Sequence, residues 1–266
     1  MKIQDDPPIQ VDTQDILKIA LGKIPGKSVI HKFGKAFDFD SGDGFVDLWS
    51  GANDASHDLM QYTYSTTADI DSLSSTQAAD TQKIEVQGLD KNYKLIVQTI
   101  TLTGQTRVAL DTALIRVFRL KNVGSTDLTG IVYCFVNVAT TNGVPDTLVN
   151  IRALLDIGYN QTMMCLYTIP AYTTGLLYNY KVKLLGAKQT ADYVPRLYVR
   201  PFGQVFQVKD EGAIDDAVTS KYEQEYVVPE RIAAKSDIAV RVDLLTAAKT
   251  AASATGTFEL VLVEDD

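Results

Sequence analysis

From about residue 28 onward, apolar and polar residues alternate along the chain with a period of two. In the segment KIEVQ at residues 83–87, Ile84 and Val86 point to one side of an extended chain and their polar neighbours point to the other. Because successive side chains of a β-strand point to opposite faces, this alternation predicts a half-buried strand. The segment Leu114–Leu120 repeats the pattern.

Other runs of strand character are five to ten residues long in most cases, rich in Val, Ile, Thr, Tyr and Phe, and bounded by Gly, Pro, Asn or Asp. They are Phe45–Trp49, Leu59–Tyr64, Tyr93–Leu102, Ile131–Val138, Met163–Ile169, Leu176–Leu185, Arg196–Val199, Val205–Val208, Tyr222–Val228, Ile238–Leu245 and Phe258–Val263. Short strands with turn residues between them are typical of sandwiches and barrels. We therefore predict an all-β fold, a β-sandwich or jelly roll in two sandwich halves, with an extended N-terminal arm and little helix.

The turns divide the chain. The segment Gly88–Asn92 predicts a hairpin loop, in which Asp90 and Asn92 can accept hydrogen bonds from backbone amides. The densest cluster of turn residues, TTNGVPD at residues 140–146, is the predicted domain boundary. The predicted parts are an arm (residues 1–27), a β-sandwich (28–140) and a second, jelly-roll-like sandwich (146–266). A single sandwich whose strands interleave across residues 140–146 is the alternative.

The arm contains a predicted short helix over Asp12–Leu21, with Asp12 or Thr13 as its N-cap. The arm also carries Ile3, Ile9, Val11 and Ile16, which would be unusual in a segment that only extends into solvent. It can dock on a neighbouring subunit or on its own domain, and the sequence favours neither.

The composition limits the partners. The 266 residues include 25 Lys and Arg against 33 Asp and Glu, which gives a net charge of −8. Binding to nucleic acid requires an excess of basic residues, so nucleic acid is not an expected partner. No apolar run approaches the roughly 20 residues that span a bilayer, and the N-terminal residues lack a signal-peptide pattern. We expect a protein that is made in a cytoplasm and does not enter a membrane.

One acidic segment, Phe37–Asp47, places four aspartates and two glycines close together. Its spacing does not match a calcium-binding EF-hand loop, because counting from Asp38 puts Gly42 fifth and Asp43 sixth. A solvated acidic hairpin turn is the favoured interpretation. Cys134 and Cys165 lie in apolar surroundings without a metal-binding spacing and are interpreted as reduced core residues.

Catalytic signatures are absent from the sequence. It contains no G-x-S-x-G elbow and no phosphate-binding loop, and His57 is interpreted as a histidine of a surface loop. We therefore predict that the protein is not an enzyme, and we assign no catalytic, cofactor-binding or metal-binding residue and no cofactor.

A basic and aromatic cluster is the remaining candidate. Arg196, Arg200 and Lys209 lie among four aromatic residues, a mixture that can stack on bases or sugars. The four are Tyr193, Tyr198, Phe202 and Phe206. The favoured interpretation places the aromatic rings in the core, with the basic groups outside and paired with Asp192, Asp210 or Glu211.

Several motifs in a fixed order resemble a family of structural proteins from the virions of tailed bacteriophages. They are Phe33-Gly34, Val46–Gly51, Tyr62–Ser65, Leu73–Ser75, Asp80-Thr81, Ile84–Asp90, Val97–Gly104, Arg116–Arg119, Asn160–Met164, Tyr167–Ala171 and Ser236–Ile238. The resemblance runs from about Phe33 to the end of the chain. It departs from the family pattern after Trp49 and at Thr129-Gly130, both of which lie in turns.

This resemblance implies a non-enzymatic β-sandwich or jelly-roll protein that assembles in multiple copies in the virion. The implied partners are copies of itself and other virion proteins, particularly capsid or tail proteins. The implied place is the head, as a capsid decoration protein, or the head–tail region. The alternative is a tail-associated module that binds a receptor or a carbohydrate, because the same architecture also supports lectins.

Overall fold

The computed structural model describes residues 13–53, 57–185, 192–215, 218–245 and 252–265. In this part of the chain, helical structure comprises one α-helix, α1 (Thr13–Ala20), and one 3-10 turn, Leu148–Asn150. All other regular elements are β-strands. The predicted all-β fold is therefore confirmed.

The strands are numbered in chain order. The first eleven are β1 (Lys27–Phe39), β2 (Val46–Asp47), β3 (Ile70–Ser75), β4 (Lys83–Leu89), β5 (Leu95–Thr101), β6 (Val108–Leu114), β7 (Arg116–Asn122), β8 (Val132–Val136), β9 (Thr140–Thr141), β10 (Val144–Pro145) and β11 (Ile151–Leu155). They are followed by β12 (Leu166–Thr168), β13 (Thr173–Leu184), β14 (Asp192–Arg200), β15 (Gln207–Glu211), β16 (Ile214–Asp215), β17 (Lys221–Ile232), β18 (Asp237–Leu244) and β19 (Ala252–Glu264).

Helix α1 is the predicted helix of the arm. It ends at Ala20 and is followed by a turn at Gly22, whose φ of 65° suits a residue without a side chain. The amide of Gly22 donates to Ile19 O at 2.8 Å and the amide of Lys23 donates to Lys18 O at 2.8 Å, which caps the last turn. Ile19 is buried, whereas Leu17 and Leu21 are exposed. The predicted arm residues 1–12 lie outside the described part.

Two sheets form a jelly-roll sandwich. Sheet I has the order β1-β19-β13-β17. Sheet II has the order β12-β18-β14-β15, with β2 also pairing with β18 and β16 also pairing with β14. The first strand lies beside the last, and most connections cross from one sheet to the other. This is the strand arrangement of a double-sheet jelly roll.

The outer strand of sheet II is interrupted by a long insertion. Strands β2 and β12 lie end to end along one edge of β18, and Val240 lies opposite the gap between them. There the amide of Leu48 donates to Val240 O at 3.1 Å, and the amide of Val240 donates to Cys165 O at 3.3 Å. The amide of Cys165 also donates to Leu48 O at 2.8 Å, so residues 48 and 165 meet where the insertion leaves and returns.

The insertion carries its own sandwich. Sheet III has the order β11-β8-β3-β6, and sheet IV has the order β5-β4-β7. The predicted hairpin at Gly88–Asn92 joins β4 to β5, and Asp90 Oδ1 accepts the amides of Asn92 and Lys94 at 2.8 and 2.9 Å. Both sandwiches contribute to one continuous apolar core, which includes Trp49, Phe135 and Phe258.

Strand pairing crosses the predicted boundary at residues 140–146. That segment forms the small hairpin β9–β10, and the strands on either side of it, β8 and β11, pair with each other in sheet III. Near the N-terminus, β1 pairs with β19. Strands therefore pair across residues 140–146 in both sandwiches. The jelly-roll sandwich uses residues 27–47 and 166–264, and the inserted sandwich uses residues 70–155.

Candidate functional site

The acidic segment after β1 is a connection between sheets rather than a hairpin, because β1 belongs to sheet I and β2 to sheet II. Asp40 and Asp43 close a local turn, in which the amide of Asp40 donates to Asp43 Oδ2 at 2.7 Å and the amide of Gly42 donates to Asp40 Oδ1 at 2.6 Å. Among the described residues, no cluster of three or more acidic, histidine or cysteine side chains could hold a metal ion.

Asp47, the last acidic residue of that segment, is not solvated. It is fully buried and accepts from Arg241 Nε at 2.8 Å and from the amide of Tyr62 at 2.8 Å. Burial raises the pKa of Asp47, and the charge and hydrogen bond of Arg241 oppose that rise. Asp47 therefore anchors the loop of Tyr62 to strand β18.

His57 was predicted to lie in a surface loop, and this prediction is wrong. The side chain is buried and its Nε2 lies 3.1 Å from the hydroxyl of Tyr133. Burial lowers the pKa of His57. Cys134 and Cys165 are free and buried, as the sequence indicated, and burial raises the pKa of both thiols. Neither thiol is therefore poised as a thiolate nucleophile.

The basic and aromatic cluster is only partly as predicted. Arg196 pairs with Glu211, one of the expected partners, but Lys209 pairs with Glu230 at 3.2 Å and Arg200 pairs with Asp237. Tyr193 is buried in the core, as expected, whereas the expectation is wrong for Phe202, which is 59% exposed. The Arg200 guanidinium, by contrast, lies inward over the rings of Tyr64 and Phe206, at 4.4 and 4.7 Å from their centroids.

Asp237 is the centre of a buried ionic network that the sequence did not reveal. Its carboxylate accepts from Arg116 at 2.8 and 3.2 Å, from Arg200 at 2.5 and 2.9 Å, and from Thr168 Oγ1 at 2.6 Å. Because every oxygen lone pair faces a donor, the network serves structure by joining the two sandwiches. No motif spacing could have indicated it, since its members lie on four different strands or turns.

Strand β17 forms one free edge of sheet I, at the side opposite β1, and this edge carries exposed apolar residues. Register shifts between β13 and β17, so residues 226–229 bulge out of the ladder. Val227 and Val228 in this bulge are 102% and 80% exposed. On the inner face, the hydroxyls of Tyr222 and Tyr226 donate to Asp210 at 2.8 and 3.4 Å. The edge is thus anchored from inside while its two valines face solvent.

A cleft of about 940 Å³ opens where the two sandwiches meet. Six segments line it: the start of β1, the β4–β5 hairpin, the β12–β13 turn, the turn before β15, the turn before β18, and the end of β19. The cleft-lining residues are Gly26, Lys27, Ser28, Lys91, Asn92, Tyr93, Lys94, Leu95, Pro170, Ala171, Tyr172, Thr173, Phe202, Lys235, Leu262, Glu264 and Asp265. Backbone hydrogen bonds join these segments, for example from the amide of Ala171 to Tyr93 O at 2.8 Å and from the amide of Glu264 to Gly26 O at 2.8 Å.

In the described part of the chain, no helix is long and apolar enough to cross a membrane.

Comparison with known proteins gives little support for any assignment. No protein-family model and no curated protein matches the chain. One solved structure that aligns with it is the infectious bursal disease virus VP2 subviral particle, with 9% sequence identity over 90% of this chain and 82% of that chain, and a TM-score of 0.13. A similarity this low carries no argument about fold or function.

Proposed function

We propose that the protein is a structural component of a tailed-phage virion that assembles in multiple copies on the head, as a capsid decoration protein, or in the head–tail region. Two features support this proposal besides the sequence motifs. The jelly roll is a common architecture of viral capsid domains, although the same architecture also occurs in lectins and enzymes. The second feature is the β17 edge of sheet I.

The exposed bulge on β17 is the observation that carries the proposal. Charges, a proline and a bulge limit backbone pairing along an edge strand, and β17 has all three, so its exposed valines offer another chain a side-chain contact rather than a strand to extend. Here Val227 and Val228 stand fully in solvent beside Pro229, at the middle of a strand of 12 residues. Burying them against a second copy of the chain would remove about 25 cal/mol of unfavourable free energy per Å² of apolar surface.

The net charge of the chain disfavours non-specific association of free copies. At a net charge of −8, folded copies repel one another at long range, which keeps the free chain soluble. Association then requires close complementary contact, as at an interface between copies in a shell.

The test compares a double variant at the edge with a single control variant. Native mass spectrometry of the purified chain measures self-association, and the amount recovered in purified particles measures incorporation. Val227→Asp with Val228→Asp places two charges at the edge and should abolish both self-association and incorporation. Val205→Asp is the matched control, because Val205 is 76% exposed in the turn before β15, outside the edge strand. Incorporation of the double variant at the control level would refute the role of this edge.

A further inference from the structure

The cleft between the sandwiches concentrates positive charge on an otherwise acidic protein. Lys27, Lys91, Lys94 and Lys235 line it, and none of these four ammonium groups forms an ion pair within the described residues. Two carboxylates share the cleft. The carboxylate of Asp265 accepts a hydrogen bond from Thr174 Oγ1 at 2.7 Å, and the Glu264 side chain lies against Gly26. The four lysines are therefore available to a bound anion.

Exposed aromatic rings line the same cleft. Tyr172 is 83% exposed and Phe202 is 59% exposed, although burial of such rings is strongly favourable. Phe202 packs edge-on against the buried Tyr93, with a centroid distance of 5.5 Å, and Lys235 Nζ lies 5.1 Å from the centroid of Phe202. Aromatic surface and ammonium groups are thus held side by side.

Three residues that line the cleft have a strained backbone conformation with positive φ. Seven residues other than glycine have positive φ in the described chain, and three of them line this cleft: Tyr93 at 62°, Tyr172 at 57° and Lys235 at 61°. Tyrosine rarely adopts this conformation. Hydrogen bonds hold each residue in it: Tyr93 N to Asp90 O, Asp265 N to Tyr172 O, and Lys235 N to Ile169 O, each at 2.9 Å. Strain retained in this way is typical of ligand-binding sites.

We infer that this cleft binds an acidic saccharide, with its sugar ring against Tyr172 and its carboxylate or phosphate group on the lysines. A sugar ring offers an apolar face for the aromatic ring, and an anionic substituent can pair with ammonium groups that form no ion pair among the described residues. The volume of about 940 Å³ is in the range of small-molecule sites. A nucleic acid strand fits less well, because it needs a basic track along its backbone and the chain carries a net charge of −8.

The proposed site is separate from the β17 edge, so binding and assembly can fail independently. The test titrates the purified full chain with an oligogalacturonate hexamer and follows binding by calorimetry. Matched probes are a neutral glucose hexamer, a single-stranded hexanucleotide and inorganic phosphate. We expect the acidic hexamer to bind, the other three to bind at least tenfold more weakly, and the affinity to fall as salt is raised.

Variants locate the site. Lys91→Met with Lys94→Met should weaken binding at least tenfold, as should Tyr172→Ala, whereas Tyr172→Phe keeps the ring and should keep the affinity. Lys83→Met is the control, because Lys83 is exposed at the opposite end of β4. Self-association of all these variants should remain that of the parent chain. Equal binding of the neutral hexamer, stronger binding of the hexanucleotide, equal binding of phosphate alone, or no effect of the cleft variants would each overturn the inference.

Discussion

Arg116 and Asp237 form a bidentate ion pair across the boundary between the two sandwiches, although 121 positions separate them in the chain. Arg116 belongs to β7 of the inserted sandwich and Asp237 to β18 of the jelly roll. The exposed fractions of their side chains are only 7% and 4%. A buried charge is tolerated only while its partner remains, so this pair makes the packing of one sandwich on the other specific.

Asp237→Asn should destabilise the fold by about 3–5 kcal/mol, because it leaves the buried guanidinium of Arg116 without a counter-charge. Unfolding in urea measures the free energy of unfolding. Glu211→Gln is the control: it breaks the ion pair of Arg196 with a half-exposed carboxylate, and should cost about 0–1 kcal/mol. Equal losses for the two variants would show that the buried pair has no special role.

Gly34 lies where β1 passes the junction of the insertion. A side chain Cβ at this position would lie 2.0 Å from Leu48 O and 2.2 Å from Cys165 N, the residues at which the insertion leaves and returns. Gly256, which pairs with Gly34 in sheet I, also faces Leu48. Two glycines thus provide the space in which the interrupted strand closes.

Gly34→Ala should therefore destabilise the protein by more than about 4 kcal/mol or prevent folding, because the clash is with backbone atoms that cannot move aside. Far-ultraviolet circular dichroism and thermal unfolding measure the loss. Gly42→Ala, in the exposed turn after β1, should change stability by less than about 1 kcal/mol. If the Gly34→Ala variant had the same melting temperature as the Gly42→Ala variant, the close approach of Gly34 to residues 48 and 165 would be contradicted.

Local patterning predicted those elements whose signal lies within a few residues. The alternation at residues 83–87 became β4, and the turn residues after it formed the expected hairpin with Asp90 as acceptor. The prediction of a strand at Leu59–Tyr64 was wrong, because this segment contains no regular strand. Its backbone instead bonds to Asp47, which accepts the amide of Tyr62 and donates its own amide to Met60 O.

The candidate site was beyond reach of the sequence for a different reason. The cleft lysines and aromatic rings come from five separated segments, and no spacing relates Lys91 to Tyr172 or Lys235. The insertion hides the topology of sheet II from the sequence for the same reason, because it separates parts that meet only in the fold. The two halves of the outer strand of sheet II, β2 and β12, are separated by residues 48–165, so their continuity appears only when both pair with β18.

Lys32 is a buried cation whose ionisation should set part of the pH dependence of stability. It is 3% exposed, its Nζ donates to Phe118 O at 2.5 Å, and it forms no ion pair within the described residues. Burial, together with the charge of Arg119, lowers the pKa of Lys32 from 10.5 to about 7. Between these two values the unfolded chain binds a proton that the folded chain does not, so the free energy of unfolding should rise with pH.

This contribution to stability is full above about pH 10.5 and is lost progressively as pH falls from there to about 7, with a slope of at most about 1.4 kcal/mol per pH unit, the value for one proton. Lys32→Met should remove this slope and be more stable than the parent chain near neutral pH. Urea unfolding at pH values from about 7 to about 10, which covers most of the interval between the two pKa values, measures the difference. For Lys83→Met, which changes an exposed lysine, the free energy of unfolding should depend on pH as it does in the parent chain. The same pH dependence in Lys32→Met would contradict the lowered pKa of Lys32.

Helix α1 presents more apolar surface to solvent than to its own domain. Ile16, Leu17 and Leu21 are 45%, 64% and 68% exposed, whereas Ile19 is buried. Because a surface helix normally turns its apolar stripe inward, this arrangement favours a contact with another subunit in the proposed particle.

Deleting residues 1–24 should therefore leave a folded chain and abolish its incorporation into particles. The loss of stability should be about 1–3 kcal/mol, since Ile19 is the one buried side chain among the described residues of the deleted segment and strands β1–β19 remain. Leu17→Glu with Leu21→Glu tests the same surface without shortening the chain, and should block incorporation with an unchanged melting temperature. The control Lys18→Gln changes an exposed residue of the helix, which pairs with Asp15, and should incorporate normally. Particle mass spectrometry gives the copy number of each variant. If the truncated chain and the double variant both reach the parent copy number, the helix has no part in assembly and its exposed side chains need another explanation.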